Sequence, residues 1–345
     1  MSDTIFSSGI VPLWDMVDGP MPRGVLGLGD PDVHVLDGTP TMFLGGFSSS
    51  FRNRLYVATL APEEDPARAS WSVDLDDRGR ARSLAPDPPK DAWDSEGMHT
   101  PSFVPAVGDQ PARIYYTGRA SRKQYGPRSS YALGALELIG GEWVRREEPL
   151  IRGVAPRSSV LEPLVMHDRG RYVMWFQANP HEIGPGELPD YELQVVESPD
   201  GVSWSDPQVF ATPKEGFFDN AVTRTKDGWL MVLARGSDLH GIGGLPAQGL
   251  WVSTARELSP DRAAWSEPRH VLNTGDFGMP AFLARGAYGP GILHDVDRDR
   301  TVVYVTGVRE APKWPVLLAR RIIHGQRPVV PSPFYLSVAA IELGD

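Results

Sequence analysis

The 345-residue chain contains no cysteine, which excludes a disulfide framework, a thiol nucleophile and any cysteine-ligated metal. Positive charge is the scarcer sign: 34 Lys and Arg stand against 44 Asp and Glu, for a formal net charge of −10. Nucleic-acid binding wants a basic surface, so no nucleic-acid partner is expected. No apolar run approaches the ~20 residues of a membrane span, so no membrane partner is expected either. Met1 to Ser8 show neither the basic start nor the apolar stretch of a signal peptide, and the chain as given reads as cytoplasmic. There are 8 histidines, none paired at a ligand spacing, so neither a metal nor another cofactor is expected. No segment signals a helix of more than two turns. No linker divides the chain, so residues 1–345 read as one domain.

Turn chemistry, by contrast, is abundant. Gly 36 and Pro 33 make up about a fifth of the residues, which implies many tight turns between short strands. A pattern recurs five times. A Pro or its equivalent, usually beside a carboxylate, opens a short strand; a polar loop follows, then an apolar run ending in small residues. The openings are Asp30-Pro31, Thr100-Pro101, Glu162-Pro163, Asp219-Asn220 and Gly289-Pro290. The runs that follow include Met42-Phe43-Leu44-Gly45-Gly46, Ile114-Tyr115-Tyr116-Thr117-Gly118 and Val303-Tyr304-Val305-Thr306-Gly307. Positions 31, 101, 163, 220 and 290 are 57 to 70 residues apart. Repeats of that length built from strand pairs predict an all-β, five-bladed β-propeller, each blade a four-stranded antiparallel sheet. The repeated carboxylates would then meet in a narrow central cavity.

Third strands are predicted at 54–60, 131–138, 192–196, 249–253 and 316–320. Outer strands are expected to open at Trp71, Trp143, Trp204 and Trp265, whose rings pack between blades. The tail, 334–341, reads as a last strand that closes the ring on the first or the last blade. Rim loops are expected at 85–96, 179–190 and 237–248.

The Asp-Pro pair before a strand, the five repeats and the single carboxylates at inner-strand starts resemble the five-bladed glycoside hydrolases. That group includes arabinanases, xylosidases, invertases, levansucrases and related mannoside phosphorylases. The phrase running from Tyr191 to Trp204 is similar to blade-edge wording common there. The resemblance implies that Asp30 is the base or nucleophile, Glu162 the general acid and Asp219 a tuning or stabilising carboxylate. Such chemistry needs one protonated and one ionised carboxyl across the scissile bond. Asp32, on the other face of its strand, reads as structural.

Around these catalytic candidates, His99 could bond a substrate hydroxyl or shuttle a proton. Arg157 and Arg235, with Arg52 and Arg119, could converge on a carboxylate or phosphate. Trp175, with Trp229 and Phe218, could offer a stacking platform for a sugar. Two departures from the group matter: no Asp stands beside Pro101, and the fifth repeat reads Gly289-Pro290-Gly291. The resulting expectation is a glycosidase-like enzyme, using carboxylate acid/base catalysis on a small glycoside, oligosaccharide or sugar-derived substrate in the central cavity. The alternatives are a non-hydrolytic enzyme on the same scaffold (phosphorylase, transglycosylase or cyclising enzyme) and a non-catalytic carbohydrate-binding propeller.

Overall fold

The structure, a computed structural model, describes residues 9–68, 70–121, 131–180, 190–235, 249–274, 279–284, 286–295, 298–309, 312–324 and 336–343. β1 (Val11–Asp15) precedes the first blade, which is β2 (Val25–Leu36), β3 (Thr39–Ser48), β4 (Asn53–Thr59) and β5 (Ser72–Val73). The second blade is β6 (Gly97–Val104), β7 (Arg113–Arg119), β8 (Tyr131–Ile139) and β9 (Glu142–Arg145), with the short β10 (Ile151–Arg152) also paired to β8. The third is β11 (Ser159–Asp168), β12 (Arg171–Asn179), β13 (Glu192–Ser198) and β14 (Gln208–Ala211). The fourth is β15 (Phe217–Thr225), β16 (Gly228–Arg235), β17 (Gly249–Ala255) and β18 (Arg269–Asn273). In the fifth, β19 (Gly286–Asp295), β20 (Arg300–Val308) and β21 (Leu336–Leu343) are completed by β1, which pairs antiparallel with β21.

The five blades expected from the repeat are therefore present, with three differences in detail. The tail does join the last blade as a strand, β21, but as its third strand, and the outermost strand that closes the ring is β1. The segment 316–320, expected as that third strand, lies in a helix, α1 (Trp314–Ile323). Pro315 sits in its first turn, where the missing N–H costs nothing and the fixed φ favours helix entry. Helical spacing then brings Leu317 down onto Met16 and Val17. Trp204 and Trp265 lie in the turns that precede β14 and β18 rather than inside those strands. The loops expected at 179–190 and 237–248 fall almost wholly outside the described residues. Residues 85–96 do form an irregular connection, pinned where Arg145 and the Tyr116 hydroxyl donate to the buried carboxylate of Asp94.

Alternation along the strands builds a separate core at each blade interface. On β12, Val173 and Trp175 pack against blade four, whereas Tyr172, Met174 and Phe176 pack against blade two. A strand buried on both faces must be apolar throughout, which is why 172–176 reads as a continuous run. The same division gives cores between blades four and five, five and one, and one and two.

Trp175 therefore belongs to a core and is not among the residues that line the cavity. It is fully buried, edge-on to Phe210 and Trp265 at centroid distances of 6.0 and 6.3 Å. Trp175→Ala is expected to destabilise the chain by ~3–5 kcal/mol in denaturant unfolding. A cost below ~1 kcal/mol would contradict this placement.

Candidate active site

Each innermost strand carries a bulge close to the propeller axis. The register between first and second strands slips at Gly29/Asp32, His99/Ser102, Leu161/Leu164, Phe217/Asp219 and Tyr288/Gly291. In four blades the residue before the proline is left-handed: Asp30 at φ 51°, Thr100 at 51°, Glu162 at 55° and Gly289 at 47°. Proline disfavours the right-handed helical region for its predecessor, and a left-handed non-glycine residue costs free energy that the surrounding strands must over-determine. The fourth blade, with Asn220 in place of proline, bulges one residue earlier at Phe218.

These bulges turn Asp30, Glu162 and Asp219 into one axial cavity of about 370 Å³. Its polar wall also includes His99, Asn53, Gln177 and Thr306, and its apolar wall holds Phe47, Tyr131, Tyr191, Phe218 and Tyr288. Below the carboxylates the axis narrows to about 30 Å³ between Pro31, Pro101, Pro163, Pro290 and Asn220.

The three carboxyls are not equivalent. Asp30 Oδ1 lies 3.5 Å from the Thr306 hydroxyl, and the backbone N–H of Thr100 also donates to this carboxylate. Burial pushes Asp30 up to about 6, and those two donors resist the rise. Asp219 Oδ2 accepts the backbone N–H of Gly289 at 2.5 Å. Burial, then the charge of Asp30, raises Asp219 to about 8 against the backbone donors of Gly289 and Asn220. Glu162 is raised well above the carboxylate range by burial first and then by Asp30 and Asp219, with no hydrogen-bond donor among the described residues to offset them. Burial and mutual repulsion thus raise all three acids, Asp30 the least.

Threonines fix the backbone that carries these groups. Asp30 N–H donates to Thr306 Oγ1 at 2.6 Å, and Glu162 N–H donates to Thr117 Oγ1 at 3.0 Å. Thr117 in turn shares a 2.5 Å hydrogen bond with Thr100 Oγ1. The two positions that lack a carboxylate therefore still contribute: Thr100 and Gly289 supply backbone donors to Asp30 and Asp219. Asp32 ties blades one and two instead, accepting the Phe103 N–H at 2.6 Å and bonding His34 at 2.9 Å.

The other candidates divide. His99 lines the cavity edge-on to Tyr131, and burial together with Arg119 lowers it to about 3, so its ring is neutral. Arg119 donates to Asn53 Oδ1 at 3.1 and 2.8 Å, which holds the Asn53 side chain in the cavity wall from behind. Arg157 does not line the cavity; it bonds Asp190 and Glu192 at 2.8 and 2.9 Å. Arg235 packs over the rings of Phe217 and Trp251, and Arg52 faces Asp87 at 3.6 Å. The arginines do not converge: Arg157 and Arg52 face carboxylates, Arg119 is held by Asn53 of the neighbouring blade, and Arg235 packs over two rings. Trp229 is in the core between blades three and four. Thr306, Thr117, Asn53, Gln177 and the three tyrosines of the wall lie outside the carboxylate, arginine, histidine and tryptophan candidates that the sequence offers. The shared Thr-Gly ending of the second strands, Thr117-Gly118 and Thr306-Gly307, was the available signal.

The chain matches no known protein-family model and no curated protein sequence. Its fold does match solved structures. These include the catalytic domain of an α-L-arabinofuranosidase from Coprinopsis cinerea, at a TM-score of 0.55 and 12% identity over 98% of both chains. An α-L-arabinofuranosidase from Lactobacillus brevis aligns at 0.59 and 10% identity, over 92% of this chain and 90% of that one. A thermostable family-43 glycoside hydrolase aligns at 0.56 and 13%, over 94% and 92%. In fold, the chain is one of the five-bladed β-propellers on which these glycoside hydrolases are built.

Proposed function

We propose that the chain is a glycosidase-like enzyme, with Asp30 as the ionised base or nucleophile and Glu162 as the protonated general acid. The observation that carries this reading is the asymmetry within the axial cavity. Asp30 has two hydrogen-bond donors that favour its anion, whereas Glu162 has none among the described residues and feels two neighbouring carboxylates. Environments that push two carboxyls apart in this way are what glycoside cleavage requires. Glu162 would protonate the departing oxygen while Asp30 attacks the anomeric carbon or deprotonates a water. A cavity of about 370 Å³ suits a small glycoside.

Hydrolysis is favoured over phosphorolysis by the cavity wall. Among the described residues that line it there is no Lys or Arg to hold inorganic phosphate. The test is a panel of aryl glycosides, assayed with and without phosphate. The expected result is phosphate-independent turnover that falls at least ~100-fold in Asp30→Asn. Strict phosphate dependence would select phosphorolysis. Undiminished turnover in Asp30→Asn would remove Asp30 from the chemistry.

A further inference from the structure

We propose that Asp219, with the aromatic wall formed by Tyr191, Phe218 and Tyr288, is a subsite for a positively charged ammonium group, so that the substrate is an amine-bearing glycoside. This deepens the proposed function and rests on the axial cavity being the substrate site.

Acid/base cleavage uses two carboxyls, Asp30 and Glu162, and leaves a third in the same cavity. Asp219 is only 6% exposed and stands between two ring-bearing elements. Its chain neighbour Phe218 lines the cavity, as does Tyr288, the residue before the Gly289 N–H that anchors Asp219 Oδ2. Tyr191 completes the wall. The ring centroids of Tyr191 and Phe218 are 5.4 Å apart, and those of Phe218 and Tyr288 are 5.5 Å apart. Three tiled aromatic rings beside a buried carboxylate match the chemistry that recognises alkylammonium ions.

Charge accounting points the same way. Three acidic side chains line the cavity, and among the described lining residues no Lys or Arg opposes them. His99 adds no charge because it is neutral. Arg119 is turned to Asn53 and to the Ser121 carbonyl rather than to the acids. An anionic sugar would add repulsion to a site already short of positive charge. Burial and Asp30 hold Asp219 up to about 8; an ammonium group beside it would favour its ionised form and would lie against the wall of Tyr191, Phe218 and Tyr288.

The test uses two probes of one shape and different charge: choline and its neutral isostere 3,3-dimethylbutan-1-ol. Calorimetric titration of the full chain should show choline binding at least ~10-fold more tightly than the alcohol. Asp219→Asn and Tyr288→Leu should each reduce that preference below ~3-fold while alcohol binding stays within ~2-fold. Tyr288→Phe keeps a ring and should keep the preference, which separates a lost ring face from a damaged fold. Equal binding of the two probes, no choline binding at tens of millimolar, or a full preference surviving in both variants would overturn the proposal. The two readings fail separately. Choline preference without any glycoside turnover would remove the acid/base assignment and leave the ammonium subsite; turnover without choline preference would do the reverse.

Discussion

Glu162→Gln is expected to lose ~10²–10⁴-fold in turnover on glycosides with poor leaving groups, and much less on nitrophenyl glycosides. The difference follows from its role. A nitrophenolate leaves without a proton, whereas an alkoxide must be protonated as its bond breaks. Glutamine fills the same volume and stands on the same left-handed bulge, so the fold should survive the change. The pH profile should change in a matching way. In the wild type, kcat/KM should rise with pH as Asp30 ionises near 6 and fall on the alkaline side as Glu162 gives up its proton. In Glu162→Gln the alkaline fall should disappear and the rise should remain. Equal losses on both leaving groups would assign Glu162 to another step.

Gly289→Ala should be nearly as damaging, although glycine carries no chemistry. A Cβ there would sit 2.7 Å from Asp30 Oδ1 and 3.0 Å from Thr306 Oγ1, in a backbone conformation of φ +47°. The methyl group would push the Asp30 carboxylate from the Thr306 hydroxyl and shift the N–H that anchors Asp219. Turnover should fall at least ~100-fold, because small displacements of a reacting group carry penalties of that order. Stability should fall by ~1–3 kcal/mol from the left-handed strain alone. An alanine variant with full activity would show that the Asp30 position is not set from blade five.

The architecture was legible because a propeller repeats one physical requirement five times. Each first strand must bulge at the axis, and a proline after a left-handed residue marks that bulge in four of the five blades. The fourth could still be placed because Asp219-Asn220 holds the same position ahead of Trp229 to Leu233. Asp30, Glu162 and Asp219 were found by that frame. The contacts that hold these carboxylates were not, since Thr100 and Gly289 act through backbone N–H groups that carry no side-chain signature. The arginines were misplaced for a related reason: a strand-end position in sequence does not reveal which carboxylate, amide or ring holds the guanidinium. Trp175 was ambiguous because a strand buried on both faces looks the same whether one face borders a core or a cavity. The helix at Trp314–Ile323 was missed because Val316 and Leu318 sit in a short apolar run, and periodicity over five residues does not separate strand from helix.

The proposed function requires that at neutral pH the axial cavity hold an ionised Asp30 beside a protonated Glu162. Carbon-13 NMR titration of the carboxyl carbons tests it most directly, with Asp30→Asn, Glu162→Gln and Asp219→Asn used to assign the three resonances. Asp30 should titrate near 6, and Glu162, raised well above the usual carboxylate range, should keep its proton through neutrality. A Glu162 resonance titrating in the ordinary range near 4.3 would contradict it.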